Sequence, residues 1–154
     1  MDSKLNCKHH IAAKCKRIKL KLHELNFLLN RYSPLSLSNK ILIFKVVIKP
    51  IWTYGLEIWG TTATSNIKPI TTLQNKILRT ITNANWYISN DNIYKDLQIE
   101  QVEEEMKKRS LSHISKIICH QNPEIRFLPY QESTSNRRLQ RFRTTDLPSR
   151  FQHR

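Results

Sequence analysis

The sequence predicts an all-α protein, a small bundle of about five helices followed by a basic C-terminal tail that is unfolded on its own. Apolar residues recur at helical spacing in several separate segments. Only two glycines occur in 154 residues, which disfavours β-rich folds with many tight turns. From about residue 131 the chain is polar and arginine-rich. We therefore divide it into an N-terminal extension (1–10), a helical domain (11–120) and a flexible tail (121–154).

The first helix is predicted over about residues 11–30, before Pro34 breaks it. Its apolar stripe steps by three and four residues: Ile11, Cys15, Ile18, Leu22, Leu25, Leu29. Lysines and arginine line both flanks of this stripe, with Lys14, Arg17 and Lys21 on one and Lys16 and Lys19 on the other. The spacing is compatible with a solvated basic face or with a surface that contacts phosphates.

The second helix is predicted to begin at Ser38, a favourable N-cap residue. Apolar residues then continue at helical spacing over an arc wide enough for a buried central helix. The positions on this stripe are Leu37, Ile41, Phe44, Ile48, Trp52, Gly55 and Trp59. An alternative interpretation ends the helix at Pro50 and makes the stretch "IWTYGLEIW" a strand.

Both glycines of the chain lie in the stretch "KPIWTYGLEIWG". Pro50 cannot donate a backbone hydrogen bond, so we expect it to kink the helix. Gly55 lies on the apolar stripe between Trp52 and Trp59, where a missing side chain would let another backbone approach. Gly60 is expected to end the helix as a left-handed cap.

Three further helices are predicted, at about 67–82, at a short segment through Ile93 and Leu97, and at 100–119. Ser65 or Asn66 can cap the first of these, and Ser89 can cap the second. The last contains i,i+4 pairs of opposite charge, Glu103 with Lys107, Glu104 with Lys108 and Glu105 with Arg109. These pairs are typical of helix support rather than of a binding site.

The formal net charge is +14, which indicates a polyanionic partner, nucleic acid first and an anionic membrane surface second. The tail stretch "RRLQRFR" places arginines around an apolar and an aromatic residue. Arginine neutralises phosphate and an aromatic ring can stack on a base, which makes Arg137, Arg138, Arg141 and Arg143 candidate contacts. A nuclear-targeting signal or a non-specific sticky tail would have the same composition.

No catalytic residues or cofactors are indicated by the sequence. The chain has no paired aspartates and no glycine-rich phosphate loop. The cysteines and histidines near both ends of the helical domain match no usual zinc spacing, so no metal site is predicted. No apolar run is long enough to cross a bilayer, and no signal core is present at the N-terminus. We therefore expect an intracellular protein of the nucleus or cytoplasm.

Five phrases occur in an order that resembles a known family: "KLNCKHHI", "LSLSNKILIFKVVIKPIWTYGLEIWG", "LQNKILRTITNANWYISNDNIYKDLQI", "HQNP" and "RRLQRFRTTDLPSRF". Together they resemble the C-terminal part of the reverse transcriptase encoded by jockey-type non-LTR retrotransposons. The resemblance spans nearly the whole chain. Where the family usually has tryptophan, this chain has Cys7.

The resemblance implies a helical thumb and post-thumb region, without the upstream palm whose Asp-Asp box binds catalytic magnesium. It implies contact with template–primer RNA, DNA or RNA–DNA hybrid, without sequence specificity and without polymerase activity by this chain alone. The upstream palm and fingers of the parent element are possible partners. By position, Lys14, Arg17 and Lys21 are the candidate duplex contacts.

Other functions remain open from the sequence. The chain could be a protein-interaction module that docks through the second and third helices, which buried Trp52 and Trp59 would count against. It could complete a polymerase in trans, or it could be an element remnant without function.

Overall fold

The computed structural model describes residues 7–60 and 62–127, and these residues form helices and no strand. The all-α prediction is therefore confirmed. The helices are α1 (Lys8–Glu24), α2 (Asn26–Leu29), α3 (Leu37–Ile43), α4 (Lys49–Thr53), α5 (Leu56–Trp59), α6 (Thr64–Thr82), α7 (Asn90–Leu97), α8 (Val102–Ile118) and α9 (Pro123–Phe127), with a π-helical segment (Phe44–Ile48) joining α3 to α4.

The chain divides into two compact units, each described by itself. Unit 1 contains residues 7–55 and 63–102, and unit 2 contains residues 56–60, 62 and 103–127. Unit 1 holds α1 to α4, α6 and α7, and its core is made of isoleucines, leucines and aromatic side chains on the inner faces of these helices. The earlier division into 1–10, 11–120 and 121–154 stays a prediction.

The first predicted helix is interrupted at Leu25, where the backbone turns and α2 begins. Ile11, Ile18 and Leu29 of the predicted stripe are buried, as the spacing indicated. The break precedes Asn26, a residue whose short polar side chain favours turns over helix interiors.

The central helix is capped by Ser36 rather than Ser38. The Ser36 hydroxyl accepts a hydrogen bond from the backbone N–H of Asn39 at 3.4 Å. Farther along, the Lys49 N–H donates to the Phe44 carbonyl, five residues back. This widened turn lies directly before Pro50, whose missing N–H removes the ordinary bond to the carbonyl four residues earlier. The proline is thus accommodated by π-helical geometry.

The two glycines match their predicted roles only in part: Gly60 follows the last residue of α5, as predicted, but the left-handed conformation is at Gly55. Gly55 has φ +67°, and an added Cβ would meet nothing within 4 Å, so Gly55 provides the left-handed turn after α4. Gly60 provides the close approach, because a Cβ there would lie 2.5 Å from the Leu56 oxygen and 3.2 Å from Met106 Cε. Periodicity identified a glycine on a helix face but could not specify its φ angle.

The two tryptophans beside these glycines, Trp52 and Trp59, are both buried, with 1% of their surface exposed. The prediction that they are core residues is therefore confirmed. The strand alternative for this stretch is wrong, since Trp52 lies in α4 and Trp59 in α5.

Helix α6 begins at Thr64, three residues before the predicted start, so Pro69 lies inside the helix. Its buried face includes Gln74, whose Nε2 donates to the Glu100 carbonyl at 3.1 Å. α7 begins as predicted, with the Ser89 hydroxyl accepting from the Asn92 N–H at 3.2 Å. In unit 2, Arg109 Nε donates to Glu105 Oε1 at 2.7 Å, one of the three predicted pairs of α8.

Candidate nucleic-acid interface

Unit 1 contains a cleft of about 570 Å³ beside α1 and α4. Helix α1 contributes basic side chains to it, and α4 with the following turn contributes apolar and aromatic ones. The residues that line it are His10, Ala13, Lys14, Arg17, Pro50, Ile51 and Tyr54. The cleft therefore combines positive charge with a flat aromatic surface, as sites for phosphate-bearing ligands do.

Lys14 lies at the inner side of this cleft and not on the solvent flank that helical spacing predicted. It is 8% exposed, and its Nζ donates to the Ile51 carbonyl at 3.0 Å and to the Tyr54 carbonyl at 2.9 Å. These carbonyls stand at the C-terminal end of α4, where a cation is favoured by the helix dipole. Burial lowers the pKa of the Lys14 ammonium, and the charge of Arg17 lowers it further. Lys14 therefore supports the fold.

The other two residues of the predicted flank differ from each other. Arg17 is exposed at the cleft. Lys21 is half-buried, and its Nζ lies 2.6 Å from Glu24 Oε2. The three residues expected to share one phosphate-contacting surface thus have three different surroundings, and Arg17 is the one that faces solvent.

The outer face of α1, defined here as Lys16, Arg17 and Lys19, is exposed to solvent. None of these three side chains forms an ion pair with a residue of the described ranges 7–60 and 62–127. Their positive charge is therefore not neutralised by the fold. It remains available to an anion from solution.

His10 on α1 and Tyr54 after α4 both line the cleft. The Tyr54 ring is 81% exposed, and the Lys14 Nζ lies 5.6 Å from its centroid, within range of a cation–π interaction. Burial lowers the pKa of the His10 imidazole, and the nearby positive charge of Lys14 adds to this effect. The lowered pKa favours the neutral form of the His10 ring, whereas the Arg17 guanidinium keeps its charge.

Curated proteins similar to this chain are transposon polymerases of fruit flies. A probable RNA-directed DNA polymerase from transposon X-element of Drosophila melanogaster is 35% identical over 97% of the chain. A probable RNA-directed DNA polymerase from transposon BS of the same species is 32% identical over 78% of it. The RNA-directed DNA polymerase from mobile element jockey of Drosophila funebris is 29% identical over 97% of it.

These proteins are homologues of the chain. The chain is homologous to part of the RNA-directed DNA polymerases of jockey and other Drosophila non-LTR retrotransposons. The resemblance stated from the sequence is thereby confirmed. The chain spans 16%, 13% and 17% of the length of the three relatives named above. No protein-family model matches it, and no solved structure matches it significantly.

Two further features of this chain concern metal ions and membranes. Within residues 7–60 and 62–127, no group of three or more histidine, cysteine, aspartate or glutamate side chains could hold a metal ion. In the same part of the chain, no helix combines the length and hydropathy that crossing a bilayer requires. The tail candidates Arg137, Arg138, Arg141 and Arg143 lie outside the described residues.

The sequence analysis missed two residues of this chain that have clear surroundings in the structure. Arg79 received no role in the sequence analysis, but its guanidinium donates to Asn90 Oδ1 at 2.9 Å and to the Asn85 carbonyl at 3.1 Å. Trp86 received no role in the sequence analysis either, but 90% of its surface is exposed. The sequence did contain a signal for Trp86: two adjacent aromatic residues in the polar stretch "NANWY" indicate an exposed apolar surface.

Proposed function

We propose that this chain binds RNA, DNA or RNA–DNA hybrid through the sugar-phosphate backbone, with little sequence specificity, as a thumb-like part of a retrotransposon polymerase. The observation that carries the proposal is the outer face of α1, where Lys16, Arg17 and Lys19 are exposed without ion pairs. Lysine and arginine contacts to phosphate release counterions from nucleic acid, which supplies affinity independent of base sequence.

The residues assigned to this contact differ from those expected from spacing alone. Arg17 stays in the set because it is exposed at the cleft. Lys14 is left out, because its ammonium donates to the Ile51 and Tyr54 carbonyls. Lys21 has a smaller part, since Glu24 already neutralises its charge. Lys16 and Lys19 take their places.

The cleft next to the outer face of α1 adds an aromatic residue to the proposed contact surface. Arg17 and the exposed Tyr54 ring lie on its border, so a backbone phosphate near Arg17 could approach the tyrosine with its sugar. The tail residues Arg137, Arg138, Arg141 and Arg143 are proposed to add further phosphate contacts. Helices that lie on a duplex use such contacts to set position rather than to read sequence.

We do not propose that the chain alone joins nucleotides. This part rests on the sequence, which has no adjacent aspartates; its four aspartates are Asp2, Asp91, Asp96 and Asp146. Primer extension by the purified chain, with and without an upstream palm segment in trans, tests this part. We expect no incorporation of nucleotides by the chain alone.

Burial of Trp52 and Trp59 argues against the protein-interaction alternative.

The test of binding compares two variants with the same change in formal charge. One carries Lys16→Glu, Arg17→Glu and Lys19→Glu on the outer face of α1. The control carries Lys45→Glu, Lys68→Glu and Lys116→Glu at exposed lysines elsewhere. Each protein is titrated with labelled RNA–DNA hybrid, single-stranded RNA and heparin at two salt concentrations.

We expect the α1 variant to lose more than about tenfold in affinity for both nucleic acids relative to the control. Equal losses in the two variants would assign binding to overall charge instead of to α1. If heparin bound as tightly as the hybrid, the chain would bind any polyanion, and the proposed binding of nucleic acid would be contradicted.

A further inference from the structure

The loop between α6 and α7, residues 83–89 and here named the aromatic loop, exposes two adjacent rings. Trp86 is 90% exposed and Tyr87 is 68% exposed. Trp86 is the most exposed large hydrophobic side chain in the described part of the protein, while Trp52 and Trp59 are buried. Exposing an indole to this extent costs hydrophobic free energy that the fold itself does not recover.

Hydrogen bonds from α6 hold the aromatic loop in place. The Arg79 guanidinium donates to the carbonyls of Asn85 and Ile88 and to Asn90 Oδ1, so it joins the middle and the end of the loop to α6. Asn83 begins the loop in a left-handed conformation at φ 50°. The two rings are therefore presented by a backbone that is already ordered.

Contacts within the loop fix the two rings relative to each other. Asn85 Nδ2 donates to the Tyr87 hydroxyl at 2.9 Å. The Trp86 and Tyr87 rings meet edge to face, with centroids 6.0 Å apart and planes at 83°. An edge-to-face neighbour can cover at most one face of the indole. The exposure of Trp86 agrees with a flat surface open to a ligand.

The charge beneath the aromatic loop is positive. The three oxygens that accept from Arg79 are two backbone carbonyls and an amide oxygen, and none of them carries a negative charge. The guanidinium charge is therefore not cancelled by its hydrogen-bond partners. A positive base below an exposed indole favours a ligand that has both a flat ring and a negative charge.

We propose that Trp86 stacks on an unpaired base of single-stranded nucleic acid, with Tyr87 holding the indole from the side. Unpaired bases offer an open ring face, whereas the bases of a continuous duplex cover one another. Stacking on an aromatic side chain accepts any base, which agrees with a chain that does not read sequence. The inference rests on the proposed nucleic-acid binding and adds a preference for single strands.

The positions of the tryptophans make a direct measurement possible. The chain has three tryptophans, and the other two are buried, so quenching of fluorescence by a base in contact reports on Trp86. The probes are oligo(dT), a blunt duplex of the same length and heparin. We expect oligo(dT) to quench the fluorescence, and heparin to bind without quenching.

Affinity measurements with variants complete the test. Trp86→Ala should lose about tenfold in oligo(dT) affinity, with duplex and heparin affinity unchanged, and Trp86→Phe should retain part of it. Tyr32→Ala is the matched control, because Tyr32 is an 84% exposed aromatic residue in the same unit, beside Arg31. Unchanged circular dichroism of each variant shows that the fold is intact.

The outcomes separate this inference from the proposed function. If Trp86→Ala binds oligo(dT) as tightly as the original chain, or loses affinity equally for all three probes, stacking is overturned while nucleic-acid binding stands. If none of the probes binds to the original chain, both proposals fail. Capture of a protein partner by Trp86, without any effect on oligo(dT), would also overturn stacking.

Discussion

Helices α1 and α8 have the same length, 17 residues each, but opposite electrostatic designs. α8 has Glu103, Glu104 and Glu105 in its first turn and Lys116 in its last turn, an order that complements the helix dipole. α1 has no acid in its first turn and carries Lys8, Lys14, Lys16, Arg17, Lys19 and Lys21 against the single acid Glu24.

This difference shows where the charge of the chain contributes to folding and where it does not. In α8 a partner is close, as in the 2.7 Å contact between Arg109 and Glu105. In α1, Lys14 donates to two carbonyls and Lys21 pairs with Glu24, while the cations of the outer face have no ion-pair partner in the described part of the chain. Like charges three or four residues apart destabilise a helix, so the charges of the outer face of α1 do not add to its stability.

The largest effect should come from the one cation of α1 that supports the fold. Lys14→Met keeps the length of the side chain but removes the donor from the Ile51 and Tyr54 carbonyls, and should lower the free energy of unfolding by about 3 kcal/mol. Lys19→Met on the exposed face is the control and should change it by less than about 0.5 kcal/mol. Urea unfolding measures both, and similar values would mean that Lys14 is not structurally different from the outer face.

A second test concerns unit 2, where Gly60 and α8 come together. Gly60→Ala should lower the free energy of unfolding by about 2 kcal/mol, because its Cβ would approach the Leu56 oxygen to 2.5 Å. Gly55→Ala should cost about 1 kcal/mol, from its positive φ alone. Thermal and urea unfolding check the order, and a larger loss at Gly55 would reverse the assigned roles.

The ion pairs of α8 and α1 should differ in their contribution to the free energy of unfolding, by less than the effects above. Glu105→Gln removes a 7% exposed carboxylate from Arg109 and should cost about 1 kcal/mol. Glu24→Gln removes a 60% exposed carboxylate from Lys21 and should cost less than about 0.3 kcal/mol. Equal losses in urea unfolding would contradict the expectation that the ion pair of α8 stabilises the fold more than that of α1.

The smallest effect is a pH dependence at the start of α1. The pKa of His10 is lowered from 6.5 in the folded chain by burial and by Lys14, so the unfolded chain binds this proton more readily. Stability should therefore be higher above pH 6.5 and should fall slightly as the pH drops below it. His10→Gln should remove this part of the slope in thermal unfolding between neutral pH and about pH 5. A slope of opposite sign would be inconsistent with a depressed pKa.

Much of the fold could be predicted from local signals. The stripe of α6 and the Ser89 cap of α7 depend on residues a few positions apart, so the sequence contains all that decides them. The break at Leu25 and the π-helical segment before Pro50 were not predicted. A continuous apolar stripe does not reveal a local change in hydrogen bonding.

The candidate site was less accessible to sequence reasoning. Lys14 lies at the edge of the apolar stripe, and only the carbonyls at the end of α4, 37 and 40 residues away, turn it inward. The helix end at Gly60 was predicted, but the left-handed conformation was assigned to Gly60 instead of Gly55, because spacing indicates a helix face and not a backbone angle. The aromatic loop is held by hydrogen bonds from Arg79 to Asn85 and Asn90. These partners could not be predicted, because they depend on the path of the loop backbone.

The most direct test of the account measures how many counterions each helix releases on binding hybrid duplex. One variant carries Lys16→Gln, Arg17→Gln and Lys19→Gln on α1, and the other carries Lys107→Gln, Lys108→Gln and Lys116→Gln on α8. The slope of log Kd against log salt concentration should fall by about 2 to 3 for the α1 variant and by less than about 1 for the α8 variant. Equal changes in the two slopes would contradict the proposal that α1 holds the charge available to nucleic acid.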